Sequence, residues 1–205
     1  MEQIYQKHLW GGKEHIFYSG DGSHAPEIID PYIHCMVSFF SAFKPLLRVC
    51  DLGCGDFNIG RAFVPYTATY TAVDIVPSLI AYNTEKFKDV KVSFRCADIA
   101  TDPLPSADCA VLRQVLQHLS NAEVAQVVAK LVRYKHVVLT EHIPEGTFVP
   151  NTDIISGQGT RLKKNSGLVL TSEPFRLRPK KEKRLLSLVP EKYGGRIVTT
   201  YYQMF

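Results

Sequence analysis

Three carboxylates and a pair of glycines carry most of the chemistry that this chain's residue spacing advertises. Asp51 precedes Gly53 and Gly55 in the stretch RVCDLGCGDFNIGRAF, residues 48–63, and two further acids, Asp74 and Asp98, each close a later run of strand-forming residues. Glycines on either side of Cys54 let the backbone turn tightly and approach a ligand closely. A dinucleotide loop would read G-x-G-x-x-G, with a diphosphate resting on the amides of the following helix. Here Asn58 stands at the third glycine's place and Asp56 would face the phosphates, which a carboxylate repels. No G-K-[ST] follows, so a P-loop is absent as well. An acidic loop of this kind suits a ligand with a positive end and hydrogen-bond donors but no phosphate.

Those acids need elements to hold them. Apolar runs bounded by turn signals recur at 46–52, 69–75, 90–98, 107–113 and 136–141, and their continuous character predicts a parallel sheet covered on both faces. Helical patterns alternate with them over 30–43, 77–87 and 120–134. In the first, Ile33, Met36, Val37 and Phe40 share a face and Pro31 suits a first turn. The last opens on Ser120 followed by Glu123, a capping box. Two more strand-like runs, 183–190 and 195–204, join across EKYGG at hairpin spacing. The expected fold is α/β, a doubly wound, mostly parallel seven-stranded sheet with a C-terminal antiparallel hairpin in three α/β/α layers. A single domain is expected over 1–205, with an N-terminal lid and helix (1–44), a cofactor-binding core (45–142) and a substrate-side loop region and hairpin (143–205).

In such a sheet ligands sit at the carboxyl ends of the strands, where the three acids fall. On these residues the chain resembles the class I S-adenosylmethionine (SAM)-dependent methyltransferases. VCDLGCG is similar to their first motif, and CADI (96–99) to their third. The resemblance covers residues 45–142, and the terminal hairpin fits the family's last two strands. It implies SAM as cofactor and S-adenosylhomocysteine as product. It also implies that Asp51, with Gly53, Cys54 and Gly55, serves the methionine ammonium end, and that Asp74, beside Ile75, bonds both ribose hydroxyls. Asp98 would accept from the adenine amino group, with Ile99 packed on the ring. Arg113, just past the fourth strand, either lines the cofactor pocket or pairs with Asp98. Phe57 stands where many members carry glycine. Its expected packing partner is the N-terminal segment HLWGGKEHIFYSGDGS, whose Trp10 and Tyr18 are expected near the cofactor.

Methyl transfer from a sulfonium is an in-line displacement that depends on positioning, with a general base where the acceptor needs one. The candidate bases are His142, which follows Glu141 at the end of the fifth strand, and His118, after the fourth. His24 lies in the glycine-rich YSGDGSHAPE. A structural or solvent role is the alternative for each. LRQVLQ follows the fourth strand in place of an Asn-Pro-Pro-Tyr-like motif, which disfavours methylation of nucleic-acid bases. The expected acceptor is a small molecule, methylated at oxygen or nitrogen. The alternatives are an RNA methyltransferase, or a SAM-binding protein of this fold that recognises a partner without catalysis.

Composition bounds the rest. With 205 residues, 45% of them apolar, the chain can bury one sizeable core. Its longest apolar runs are too short to cross a bilayer, and its first residues lack a signal pattern. The five cysteines, Cys35, Cys50, Cys54, Cys96 and Cys109, form no Cys-x-x-Cys pair, so no metal site is expected. They read as buried free thiols in a reducing cytoplasm. The net charge of +4 is mild, but nine Lys or Arg lie between Arg161 and Arg184 against only Glu173 and Glu182. That stretch reads as a solvated surface, a site for an anionic small substrate, or an RNA-binding face.

Overall fold

β-Branched and aliphatic runs become strands where turn residues release them on both sides. The protein, here as a computed structural model, describes all residues 1–205. Its helices are α1 (Glu2–Gln6), α2 (Pro26–Ser41), α3 (Pro77–Lys86) and α4 (Asn121–Leu131). Its strands are β1 (Arg48–Leu52), β2 (Thr69–Asp74), β3 (Ser93–Cys96), β4 (Cys109–Arg113), β5 (His136–Ile143), β6 (Lys181–Leu188) and β7 (Arg196–Gln203). The strands form a seven-stranded sheet in the order β3-β2-β1-β4-β5-β7-β6, with helices flanking it. The expected fold class is therefore the observed one. The chain divides into two compact units, Met1–Cys109 and Ala110–Phe205.

In the first unit β1 runs parallel to β2 and β2 parallel to β3, with Asp51 opposite Ala72 and Asp74 opposite Cys96. The parallel direction puts the carboxyl ends of all three strands on one edge. α2 buries Ile28, Tyr32, Met36 and Phe40, a stripe at every fourth residue. The sequence placed this helix at 30–43 with Pro31 in its first turn, but it starts at Pro26, and Pro31 lies inside it. Pro26 already fills the N1 position that suits proline, and at Pro31 the helix forgoes one backbone donor. Two 3-10 turns, Gly60–Ala62 and Val64–Tyr66, follow the glycine loop where a doubly wound fold would carry a helix.

Phe57 corrects a second expectation. It does not pack against the N-terminal segment. Its ring is fully buried and meets Tyr70, Phe87 and Phe94 edge-on at centroid distances of 5.7, 5.2 and 5.0 Å. Its backbone keeps a left-handed φ of 59°, the conformation glycine adopts most easily. The side chain is accommodated because the glycine has moved along the chain. A Cβ at Gly60 would stand 2.4 Å from the Phe57 ring.

In the second unit β5 pairs antiparallel with β7, and β7 with β6, as the hairpin spacing predicts. Ser120 caps α4 with the expected box, its amide donating to Glu123 Oε2 at 3.0 Å. Lys181, Glu182, Lys183 and Arg184 are all exposed on β6, the outermost strand. Charge there discourages edge-to-edge pairing with another chain, which accounts for part of the basic stretch. No helix is long and apolar enough to cross a membrane. All five cysteines are free thiols, but only Cys50 and Cys109 are buried, and Cys96 is exposed because its short strand lies at the outer edge of the sheet.

Phe57→Ala should cost about 3–5 kcal/mol in chemical unfolding, and Gly60→Ala should also destabilise. Because the ring and the new methyl compete for one space, the double variant should be more stable than the summed single costs by about 1 kcal/mol or more. Additive costs would show that the two positions do not share that space.

Candidate cofactor site

The glycine loop is built from amides that all find partners inside the protein. The Gly53 and Cys54 amides donate to the Val73 carbonyl at 2.8 and 2.9 Å. The Gly55 amide donates to Asp74 Oδ2 at 3.1 Å, the Asp56 amide to Ser19 Oγ at 2.9 Å, the Phe57 amide to the Cys54 carbonyl and the Asn58 amide to Asp56 Oδ1. No amide from 53 to 58 is left for a phosphate. With no helix N-terminus behind it either, the loop lacks both means of holding a diphosphate.

Carboxylates take the place of those donors. Asp51, next to last in β1, accepts from the Tyr70 hydroxyl at 2.9 Å and is nearly buried. Asp74, last in β2, accepts one amide on each oxygen, from Gly55 and from Val76 at 3.1 Å. Each oxygen keeps a further lone pair. Burial lifts the Asp74 carboxyl above its ordinary range, although the Val76 and Gly55 amides pull the other way. Asp98 lies two residues beyond β3 and is fixed by the Ala100 amide at 2.8 Å. Ile99 is buried, whereas Ile75 leaves 44% of its surface exposed beside Asp74.

The N-terminal segment closes on this loop through Asp56. The Ser19 amide donates to Asp56 Oδ2 at 2.9 Å, and His24 Nε2 lies 2.6 Å from the same oxygen. Burial alone would raise the Asp56 carboxyl, but the His24 contact and the amides of Ser19 and Asn58 hold it below its usual range. Gly55 has a φ of +55°, and a Cβ there would meet Ser19 Oγ at 2.4 Å, so glycine is what lets the segment approach. Tyr5 anchors the segment with Val76 and Leu79, and Trp10 and Phe17 pack against that cluster. Tyr18 stacks on His24 at 4.3 Å. The aromatic density of this segment thus serves its docking onto the loop and α3. Asp56 as its anchor was not legible beforehand, since the acid read only as a repellent of phosphate.

The second unit holds the remaining candidates. Arg113 ends β4 and is half-buried. His118 Nδ1 lies 3.1 Å from the Gly159 carbonyl, and its Nε2 lies 3.4 Å from the Gln117 amide nitrogen. Both ring nitrogens are therefore engaged. His142 Nε2 lies 2.6 Å from the Gly194 carbonyl, so that nitrogen carries the proton and Nδ1 is the acceptor. Burial lowers the basicity of both histidines. Two residues that sequence reasoning passed over stand out. Glu141 is 3% exposed with neither carboxylate oxygen hydrogen-bonded, and burial pushes it up to about 8 against the pull of Arg161. Arg161 is itself 1% exposed. It donates to the carbonyls of Thr152, Leu116, Gln117 and Leu119 and to Asn121 Oδ1. The first residue of the basic stretch is therefore an interior clamp and no part of a charged surface.

A loop with no spare amide and acids at three strand ends accepts hydrogen bonds and repels phosphate, which fits a ligand offering an ammonium, ribose hydroxyls and an adenine amino group. Residues 49–135 match the family model described as a methyltransferase domain. That match spans 87 of the chain's 205 residues. The fold is similar to that of the N-methyltransferase NodS of Bradyrhizobium japonicum WM9, solved with S-adenosylhomocysteine, at a TM-score of 0.71 and 13% identity over 98% of this chain and 97% of that one. It is also similar to magnesium protoporphyrin IX methyltransferase of Synechocystis PCC 6803, at a TM-score of 0.61 and 15% identity over 98% and 94% of the two chains. That enzyme has been solved with either form of the cofactor. A dimethyladenosine transferase of Plasmodium falciparum matches at a TM-score of 0.55 and 11% identity, over 84% of this chain and 61% of that one. No curated protein sequence matches the chain.

Asp74→Ala should weaken SAM binding by about 1–3 kcal/mol. In the unaltered protein, calorimetric affinity should start to fall on acidification at a pH above the ordinary aspartate range, since protonating Asp74 removes an acceptor. Glu141 makes a second, opposite pH signature. Its raised carboxyl stabilises the fold fully at acid pH, and that contribution is lost as pH rises through about 8. The slope is about 1.4 kcal/mol per pH unit, and Glu141→Gln should flatten it in unfolding curves taken across that range.

Proposed function

We propose that this chain is a class I SAM-dependent methyltransferase that transfers the methyl group of SAM to an oxygen or nitrogen of a small molecule. The observation that carries the reading is the loop whose every amide is internally committed while Asp51, Asp74 and Asp98 present acceptors at the strand ends. SAM, when bound, supplies a methyl group made electrophilic by its sulfonium. The protein's part is to hold and orient. Asp51 would take the ammonium, the second lone pairs of Asp74 the ribose hydroxyls, and Asp98 the adenine amino group. Ile75 offers the exposed apolar surface beside them. Of the two histidines, only His142 keeps a ring nitrogen to accept a proton, because both nitrogens of His118 are bonded. Arg113 remains a candidate cofactor contact.

A small acceptor is favoured over RNA by the fate of the basic stretch. Arg161 is interior, Arg176 pairs with Glu173, Lys164 donates to the Asp153 carbonyl, and the β6 charges guard a sheet edge. What remains, Lys163, Arg178 and Lys180, is too few charges for a backbone-tracking groove, and Phe175 is the one aromatic residue in the stretch. Two neighbours that match over 98% of this chain are the N-methyltransferase and the porphyrin methyltransferase, which supports the same preference.

The decisive measurement is calorimetry of the purified protein with SAM and S-adenosylhomocysteine, followed by transfer of labelled methyl to a small-molecule extract and to total RNA. Binding of both nucleosides and label in the small-molecule fraction is the expected outcome. Absence of binding at millimolar ligand would sink the reading, and label confined to RNA, with steep salt dependence, would replace the acceptor class.

A further inference from the structure

Glu141 is the only acidic residue among the buried residues of the second unit. It sits sixth in the eight residues of β5, near the strand's carboxyl end, where sheets of this class bind their ligands. Opposite it in the register is Val198, and Leu139 and Thr200 share its face two residues along. Neither oxygen accepts a hydrogen bond. Buried polar groups in native proteins almost always find a partner, and a buried carboxylate without one costs several kcal/mol.

The neighbouring donors have been spent elsewhere. The positive charge of Arg161 acts on Glu141, yet its guanidinium is turned to four carbonyls and the Asn121 amide oxygen and makes no ion pair with the acid. Gln117 uses its oxygen to accept the His142 amide at 3.1 Å and turns its nitrogen to His118. The Leu116 and Gln117 amides attract the carboxylate without forming hydrogen bonds of normal geometry. Tyr202 of β7 also feels its charge. His142, one residue on, points to the opposite face of the strand. The protein thus buries an acid to which neither Arg161 nor Gln117 gives a hydrogen bond.

We propose that the missing partner is the amino group of the methyl acceptor, which makes this chain an amine N-methyltransferase with Glu141 as the acceptor-binding carboxylate and proton acceptor. The proposal rests on the methyltransferase reading above and narrows its substrate class. A primary ammonium brings three donors and a positive charge to two unsatisfied oxygens, whereas an alcohol brings one donor and no charge. An ammonium nitrogen has no lone pair, so it must lose a proton before it can be methylated. In that step an O–H bond forms on Glu141, an N–H bond breaks, and the electron pair stays on nitrogen. Binding of the charged ammonium draws Glu141 into its carboxylate form, its own proton leaving to solvent, and burial keeps that carboxylate basic enough, with its carboxyl at about 8, to take a proton from the ammonium as the methyl is transferred.

The test uses butylamine, hexylamine, 2-phenylethylamine and glucosamine as probes, with butanol, hexanol and 2-phenylethanol as controls, on the full chain loaded with S-adenosylhomocysteine. Infrared difference spectra should show a buried carboxylic acid band at neutral pH that Glu141→Gln removes. At least one amine should convert that band to carboxylate, and no alcohol should. Glu141→Gln, which mimics the neutral acid and should fold, is expected to weaken the responding amine by roughly 10- to 100-fold while leaving S-adenosylhomocysteine affinity within about 2-fold. An unmoved band with every amine, an equal response to alcohols, or unchanged amine affinity in Glu141→Gln would each overturn the proposal. Failure of the wild-type protein to bind S-adenosylhomocysteine would instead count against the methyltransferase reading, and the same amine titration of the unloaded chain would still decide the role of Glu141.

Discussion

The site depends on one constraint, the internal commitment of the loop amides from Gly53 to Asn58. A backbone amide can serve a ligand only if the fold leaves it unpaired. Here the Val73 carbonyl takes two of them, Asp74 a third and Ser19 a fourth. The consequences run in one direction. The loop cannot cradle phosphates, its carboxylates are fixed as acceptors, and the ligand must bring the donors. Asp74 does double duty in this arrangement, since the bond from Gly55 that shapes the loop also fixes the orientation of the acid.

The same constraint explains the N-terminal segment. Asp56 would be a liability in a phosphate loop, but in this one it is the anchor that Ser19 and His24 grip. Its charge is kept by those contacts in spite of burial. Holding the segment down needs a loop backbone that can be approached closely, which Gly55 provides. It also needs an apolar seat, which Tyr5, Trp10 and Phe17 make against Val76 and Leu79. Phe57 serves the opposite side. It turns inward as the hub of an aromatic cluster, and Gly60 absorbs the space that the ring takes up.

Much of this was legible in the sequence because local and global signals agreed. Asp51, Asp74 and Asp98 stood at the ends of apolar runs, and each does lie at or just past a strand end. The capping box at Ser120 and the hairpin spacing also fixed their elements. What sequence could not give was direction. Phe57 and the N-terminal aromatics were plausible partners by composition, and only the left-handed backbone at Phe57 sends its ring into the core. Pro31 looked like a helix start because Pro26, a better one, lay just outside the apolar pattern. Arg161 looked like a surface charge because nothing in a run of Lys and Arg marks the one member that is buried. Glu141 was read only as the neighbour of His142, since an orphaned carboxylate is a property of its surroundings and leaves no mark on the chain.

The long stretch from β5 to β6 shows how those surroundings are made. Its only regular element is one 3-10 turn, Arg161–Lys164, so its backbone groups need side chains to satisfy them. Two buried residues do most of that. Asn151, itself left-handed at φ 58°, donates to the carbonyls of Val169 and Glu173 and accepts the Val169 amide. Arg161 gathers carbonyls from its own loop and from the turn before α4. A loop of this length is costly to order and is usually kept for function. The same bonds that order this loop direct the Arg161 guanidinium away from Glu141. With its donors held by those carbonyls, the guanidinium makes no ion pair with the acid. The unsatisfied carboxylate is therefore a consequence of how the loop is tied, and it persists for as long as the loop does.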